Sequence, residues 1–174
     1  MTPTVLSPTL QRTIQSRTLS KQELQTYVEQ LSTSPELWQH HVAFDTDGRH
    51  YASVFRDDTV DVWLLCWNTS DDTGWHDHDI SSGAVAVIQG LVRETTPRLS
   101  AEPMTSDFTA GASFCFGPEH IHRMSGVVDG SVSIHAYSPP LWRMGQYRFS
   151  REGVMRRMSV SYADELRPLD EATL

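Results

Sequence analysis

Cysteine is scarce in this 174-residue sequence: Cys66 and Cys115 are the two present, and both lie in apolar runs, WLLCW and SFCFG. That excludes a disulfide framework and makes reduced core thiols the expected state. Positive charge is also in short supply, with Lys+Arg 14 against Asp+Glu 22 and a net charge of −8. A surface of that sign repels a phosphate backbone, so nucleic acid is not an expected partner. Long apolar runs are missing as well. The longest, VDVWLLCW and GAVAVIQG, have strand length and fall far short of the roughly 20 residues that span a bilayer, so no membrane partner is expected. The stretch MTPTVLSPTLQRTIQ lacks the basic segment and apolar run of a secretory signal. These absences favour a soluble protein in a reducing, cytoplasmic setting.

What is present is enough for one domain with a core: 39% of residues are hydrophobic and 21% charged. Three stretches are expected, an N-terminal arm with helices over 1–41, a β-rich body over 42–150 and a C-terminal extension over 151–174. Ser20 followed by Glu23 reads as a capping box ahead of Leu24, Tyr27, Val28 and Leu31 at helical spacing. A second short helix is expected from Ser34-Pro35, carrying Leu37 and Trp38. From residue 42 the texture turns to short β-like runs near 42–45, 50–56, 60–67, 84–89, 91–96, 112–116, 121–125, 131–137 and 145–149, with Asp47-Gly48 as a hairpin signal. Many short strands without βαβ alternation predict an all-β sandwich or barrel. Residues 153–162 fit strand or helix equally.

The chemistry lies in the histidines, of which three groups matter. His76 and His78 form a His-x-His pair before the apolar run Gly83–Gln89, and in extended backbone both project to one side. Alone, such a pair reads equally well as exposed loop histidines. His120 and His122 form a second pair about 44 residues on, close enough in a meander to return alongside the first. Up to four imidazoles then converge where a metal site needs three, and spacing does not say which is surplus. The third group is SVSIHAYSPP, with Val132, Ile134 and Ala136 on one face and Ser133, His135 and Tyr137 on the other. The second set faces water in an ordinary sandwich; inside a barrel it becomes a hydrogen-bonded line ending in a phenol.

The stretch GWHDHDISSGAVAVIQG closely follows the first cupin motif, with Gly83 where a Glu usually stands and Gly90 closing it; Gly111 to Gly126 carries the second, with His122 as its histidine. With the acidic position missing, HRMSG after His122, SVSIHAYSPP, and Cys66-Trp67 ahead of the first motif, the sequence resembles the thiol dioxygenases, the cysteine dioxygenase family, over roughly residues 42–150. The resemblance implies an all-β, cupin-type barrel (double-stranded β-helix or jelly roll) with short N-terminal helices. It implies His76, His78 and His122 as ligands of one Fe(II) per chain, O2 as co-substrate, and Ser133, His135 and Tyr137 as catalytic residues beside them, Tyr137 nearest the metal. His120 then supports the ligands or the structure. Ser138-Pro139 resembles a family cis-proline site. Some animal members cross-link a cysteine to the active-site tyrosine; Gly83 holds that position here, so Tyr137 is expected unmodified, as in bacterial-type members.

Three neutral imidazoles leave the full charge on the iron, and a substrate thiolate supplies the negative charge that a carboxylate ligand would otherwise bring. The implied reaction adds both atoms of O2 to a small thiol, with cysteine giving its sulfinic acid. The alternatives are 3-mercaptopropionate, a cysteamine-like aminothiol or a thiol-imidazole, another metal on the same histidines, or a cupin that binds metal without turnover. Family members acting on cysteine hold its carboxylate with an arginine early in the barrel. Arg56 in HYASVFRDD is the candidate, its alternative being a surface pair with Asp57 or Asp58; Arg143 and Arg123 rank behind it. Trp75, Trp142 and Met144 are candidates for an apolar pocket mouth. A monomer or small homo-oligomer is expected.

Overall fold

The computed structural model describes residues 17–44, 48–150 and 155–161. The expected arm over residues 1–15 and the segment from residue 162 onward lie outside the described residues. Helix α1 spans Lys21–Ser32 and opens on the expected capping box: Ser20 Oγ accepts from the Glu23 N–H at 3.3 Å, and the Glu23 carboxylate accepts from the Ser20 N–H at 2.9 Å. Such a cap is worth about 1 kcal/mol. Two short 3-10 turns follow, Pro35–Leu37 and Gln39–His41, with Pro35 at the first position of its turn.

The strands are β1 (His50–Arg56), β2 (Asp61–Trp67), β3 (Trp75–Asp77), β4 (Ser82–Gln89), β5 (Leu91–Thr96), β6 (Met104–Thr109), β7 (Ser113–Phe116), β8 (Arg123–Gly126), β9 (Ser131–Ser138), β10 (Arg143–Phe149) and β11 (Met155–Ser161). They form a five-stranded sheet, β1-β2-β9-β4-β7, and two three-stranded sheets, β11-β10-β3 and β6-β5-β8. The two small sheets meet at a seam. There His76 and His122 exchange both backbone hydrogen bonds, at 2.8 and 3.0 Å, and the Thr73 N–H donates to the Met124 carbonyl at 2.9 Å. This is the all-β class that the strand pattern predicts and the jelly roll that the resemblance implies.

Strand alternation separates two cores on the large sheet. One face carries Val62, Leu64, Cys66, Ala84, Ala86, Val132, Ile134 and Ala136, covered by Leu24 and Val28 of α1. The other carries Leu65, Trp67, Val85, Val87 and Tyr137, packed with Val92, Met124 and Met144 from the small sheets. β9 is therefore buried on both faces, and its Ser133–His135–Tyr137 side looks into the interior rather than at water. Cys66 is buried and Cys115 half-buried, both as free thiols.

Three strand expectations change. Residues 42–44 are not a strand, and β1 does not form a hairpin with them across Asp47-Gly48; it pairs with β2, His50 opposite Cys66. The turn that forms is 57–60, closed by Asp57, whose carboxylate accepts from the N–H groups of Thr59 at 2.7 Å and Val60 at 2.8 Å. β3 and β6 have no counterpart among the expected runs: β3 is too short for a pattern, and β6 is a largely exposed edge without apolar alternation. The ambiguous 153–162 stretch is strand β11 over its described part, an exposed edge paired with β10.

Candidate metal centre

Directly opposed residues of an antiparallel pair share a face, so the seam pairing sets the His76 and His122 imidazoles side by side in the interior. His78, two residues past His76, joins them. One ring nitrogen of each lies within 4.8 Å of the other two, and all three residues are buried. The fourth histidine, His120, is not in this group; it sits beside Glu94 with its ring stacked on Phe116.

Hydrogen bonding fixes two tautomers. His76 Nδ1 faces the Gly74 carbonyl at 3.1 Å and His122 Nδ1 faces the Glu94 carboxylate at 2.8 Å, and neither oxygen can donate. Each Nδ1 therefore carries the proton, and each Nε2 presents a lone pair; these two atoms face each other at 3.1 Å. Among the described residues, neither ring nitrogen of His78 has a hydrogen-bond partner although both are buried. Convergent lone pairs plus a buried imidazole with no partner are an arrangement that a cation satisfies, so the residues fit a metal ion. Their protonation state agrees. Burial holds His76 and His78 well below the ordinary histidine range, with neighbouring imidazoles adding to it, and His122 is lowered by burial against the opposing pull of Glu94. Neutral imidazole is the ligand form.

Surrounding groups hold the ligands. For Glu94, burial alone would raise the carboxyl, but hydrogen bonds from His120 and His122 outweigh it and place it at about 2. An ionised carboxylate on the far nitrogen of His122 orients that ring. Phe116 and Tyr137 both stack on His78 with centroids 4.9 Å away. Gly83, the position without its acid, is where those aromatics close in: a Cβ there would lie under 3.0 Å from the Phe116 ring edge and 3.1 Å from Tyr137 Cδ1.

The β9 line is connected end to end. Trp67 Nε1–H donates to Ser133 Oγ at 2.8 Å, Ser133 Oγ lies 2.7 Å from His135 Nε2, and His135 Nδ1 lies 3.3 Å from the Tyr137 hydroxyl. With Ser133 accepting from Trp67, its own hydroxyl is satisfied by donating to Nε2. That leaves Nδ1–H for the phenol oxygen and the phenol proton directed onward. Burial lowers His135 to about 3, with His122 and Arg49 adding to it, so the relay is neutral.

A cavity of about 500 Å³, counted out to its open mouth, lies against this group. His76, His122, His135 and Tyr137 line it on one side, and Trp63, Leu65, Leu141 and Met144 give it apolar walls. Its cation is Arg49, half-buried with the guanidinium 5.0 Å over the Trp67 ring. Arg56 is not brought to the cavity. Its guanidinium pairs with the fully buried Asp61 carboxylate and donates to the Leu141 carbonyl at 2.9 Å. Arg123 pairs with Asp72, and Arg143 stacks over exposed Trp142. Met144 lines the cavity, whereas Trp75 and Trp142 do not. The Ser138-Pro139 bond is cis. Arg49 and Glu94 have no role in the sequence reading, and Trp67 enters it only as part of the resemblance. The signal for Arg49 is its parity with Tyr51 and Ser53, which oppose Leu65 and Trp63 on the inward face of β2.

The large sheet packed on the two small ones, with three imidazoles converging at the seam between those two, defines a cupin fold with a candidate metal site. Within that class the chain belongs to the cysteine dioxygenase family, whose model, described as cysteine dioxygenase type I, matches residues 1–151. A curated relative is cysteine dioxygenase type 1 of Danio rerio, 24% identical over 149 residues, covering 78% of this chain and 73% of that protein. Solved structures share the fold. A Klebsiella pneumoniae protein with a double-stranded β-helix domain aligns with TM-score 0.52 at 13% identity, over 58% of this chain and 80% of its own. A Thermus thermophilus protein aligns at 0.51 with 10% identity, over 59% and 93%. No helix among the described residues is long and apolar enough to cross a membrane.

Proposed function

We propose that this protein is an iron(II)-dependent thiol dioxygenase that adds both atoms of O2 to cysteine, giving the sulfinic acid. The observation that carries the reading is the convergence of His76, His78 and His122, without a carboxylate among them, beside a cavity that His76, His122, Tyr137 and Arg49 line. Iron(II) held by those imidazoles would supply O2 activation and the acidity that makes a thiol a thiolate at neutral pH.

The protein's own groups do the rest. Arg49 binds the substrate carboxylate, a task that suits a planar fork of donors. Trp67 beneath it limits where that fork can point. Trp63, Leu65 and Met144 exclude water from the thiol. Tyr137 holds its proton toward the cavity, and Ser133 and His135 fix the direction of that O–H bond. A cytoplasmic location, with substrate as a small-molecule partner and the chain as a monomer or small homo-oligomer, goes with this reading; the two free thiols support a reducing setting.

The test is oxygen uptake after anaerobic iron(II) loading, with cysteine, 3-mercaptopropionate, cysteamine and a thiol-imidazole as candidates. Cysteine should be consumed one-to-one with O2, and the two thiols without a carboxylate should react poorly. Iron bound with no oxygen uptake on any thiol would point to a metal cupin without turnover. A preference for the carboxylate-free thiols would remove the role given to Arg49.

A further inference from the structure

Strand β11 lies beyond residue 151, where the family match ends, yet its Arg157 reaches the strand that carries His76 and directly precedes His78. β3 is three residues long and is held by three register pairs with β10 and the single bridge between His76 and His122. So short a ladder does little by itself to fix where its side chains point. Asp77 stands between His76 and His78, and by strand alternation its side chain leaves on the other face.

Five donors converge on that carboxylate. Arg157 of β11 gives two bonds, Nε to Oδ2 at 2.7 Å and Nη2 to Oδ1 at 2.9 Å. Tyr147 Oη–H donates at 2.5 Å, and the N–H groups of Gly145 and Asp79 donate at 3.0 and 2.9 Å. Arg157 Nη2 also reaches Asp79 at 3.2 Å, so one guanidinium ties both carboxylates flanking His78. The crossing depends on Gly145: a Cβ there would lie under 3.0 Å from Arg157 Nε and Cζ and 2.6 Å from Asp77 Oδ2. The Asp77 side chain is 9% exposed and that of Arg157 34%, so the pair is shielded on the carboxylate side.

We propose that Arg157 is a positioning residue for the three-histidine centre: its fork grips Asp77 from outside the sheet and thereby sets the spacing of His76 and His78 inside it. The inference rests on the metal-site reading above, and it makes β11, outside the family match, part of the site's support. Lysine is a poor substitute, since a single ammonium cannot make the two parallel bonds.

The test is metal affinity of the full chain, by competition against a chromophoric chelator with iron(II) and with cobalt(II). Wild type, Arg157→Ala and Arg157→Lys are compared at a temperature where circular dichroism finds each folded. Arg157→Ala should bind about 10–100-fold more weakly, and Arg157→Lys should fall between. The visible cobalt(II) spectrum should change in both variants, and added guanidinium ion should move Arg157→Ala back toward wild type. A folded Arg157→Ala with wild-type affinity and spectrum would overturn the proposal. Should Arg157→Ala not fold, Arg157→Lys decides in the same way. Wild type that takes up neither metal would overturn the proposed function itself, which separates the two failures.

Discussion

Replacing Gly83 by alanine tests how tightly the ligand shell is packed. The new methyl would sit under 3.0 Å from Phe116 Cζ and Cε2, and ordinary contact begins at 3.4 Å, so the ring edge has to retreat by about 1 Å. Phe116 has little room to retreat. Its ring centroid is 4.9 Å from that of His78, 4.9 Å from that of His122 and 5.1 Å from that of His120. On the other side Tyr137 Cδ1 lies 3.1 Å from the new Cβ, so the substitution is wedged between both aromatics that stack on His78. Overpacking of this kind costs about 1–3 kcal/mol, and at about 2–4 °C per kcal/mol for a chain of this size the melting point should fall by roughly 2–12 °C. Metal affinity should fall with it, because the displaced ring presses on two of the three imidazoles. Differential scanning calorimetry and metal titration on the purified variant check both effects. The double variant Gly83→Ala/Phe116→Leu should recover part of each loss. A Gly83→Ala protein with wild-type melting point and metal affinity would refute the reasoning.

Removing the phenol oxygen with Tyr137→Phe should leave metal affinity unchanged and lower turnover about 10–100-fold, read from single-turnover kinetics. Arg49→Ala should raise KM for cysteine while sparing thiols without a carboxylate; Arg56→Ala should instead leave the Asp61 carboxylate buried without its cation and cost about 1–3 kcal/mol in urea unfolding. Acid should destabilise the metal-free protein through His135. Its folded value of about 3 lies below the unfolded 6.5, so the native state binds fewer protons. Stability is therefore full above pH 6.5 and is lost as pH falls through that window, by about 2 kcal/mol between pH 7 and pH 5 for this one group. The ligand histidines act in the same direction. Urea titrations across that range should show the decline, and a flat profile would contradict the buried, neutral relay.

The parts of the site that could be read from sequence are those carried by strand alternation. Ser133, His135 and Tyr137 share a face because β9 is regular along its whole length, and His76 and His78 share one because a single residue of extended backbone, Asp77, separates them. Which histidine is surplus depends on the seam. His122 pairs backbone to backbone with His76, whereas His120 does not, and no local pattern encodes a pairing 46 residues apart. Arg56 is a different case. The β1–β2 register shifts between Ser53 and Phe55, a bulge that turns Arg56 to the face of Asp61 and Trp63, where the Asp61 carboxylate and the Leu141 carbonyl engage its guanidinium at the hairpin end. Nothing in HYASVFRDD marks that bulge. Glu94 lies in an ordinary-looking β5 strand, and only the return of β8 beside β5 brings it to His122.

The most direct test of the proposed chemistry is isotopic. The iron(II)-loaded protein is given cysteine under a mixture of light and heavy-isotope O2, and the product is weighed by mass spectrometry. A dioxygenase places both atoms of one O2 on one sulfur, so the sulfinate should carry two heavy oxygens or none. Singly labelled sulfinate as a main product, or oxygen drawn from water, would contradict the account.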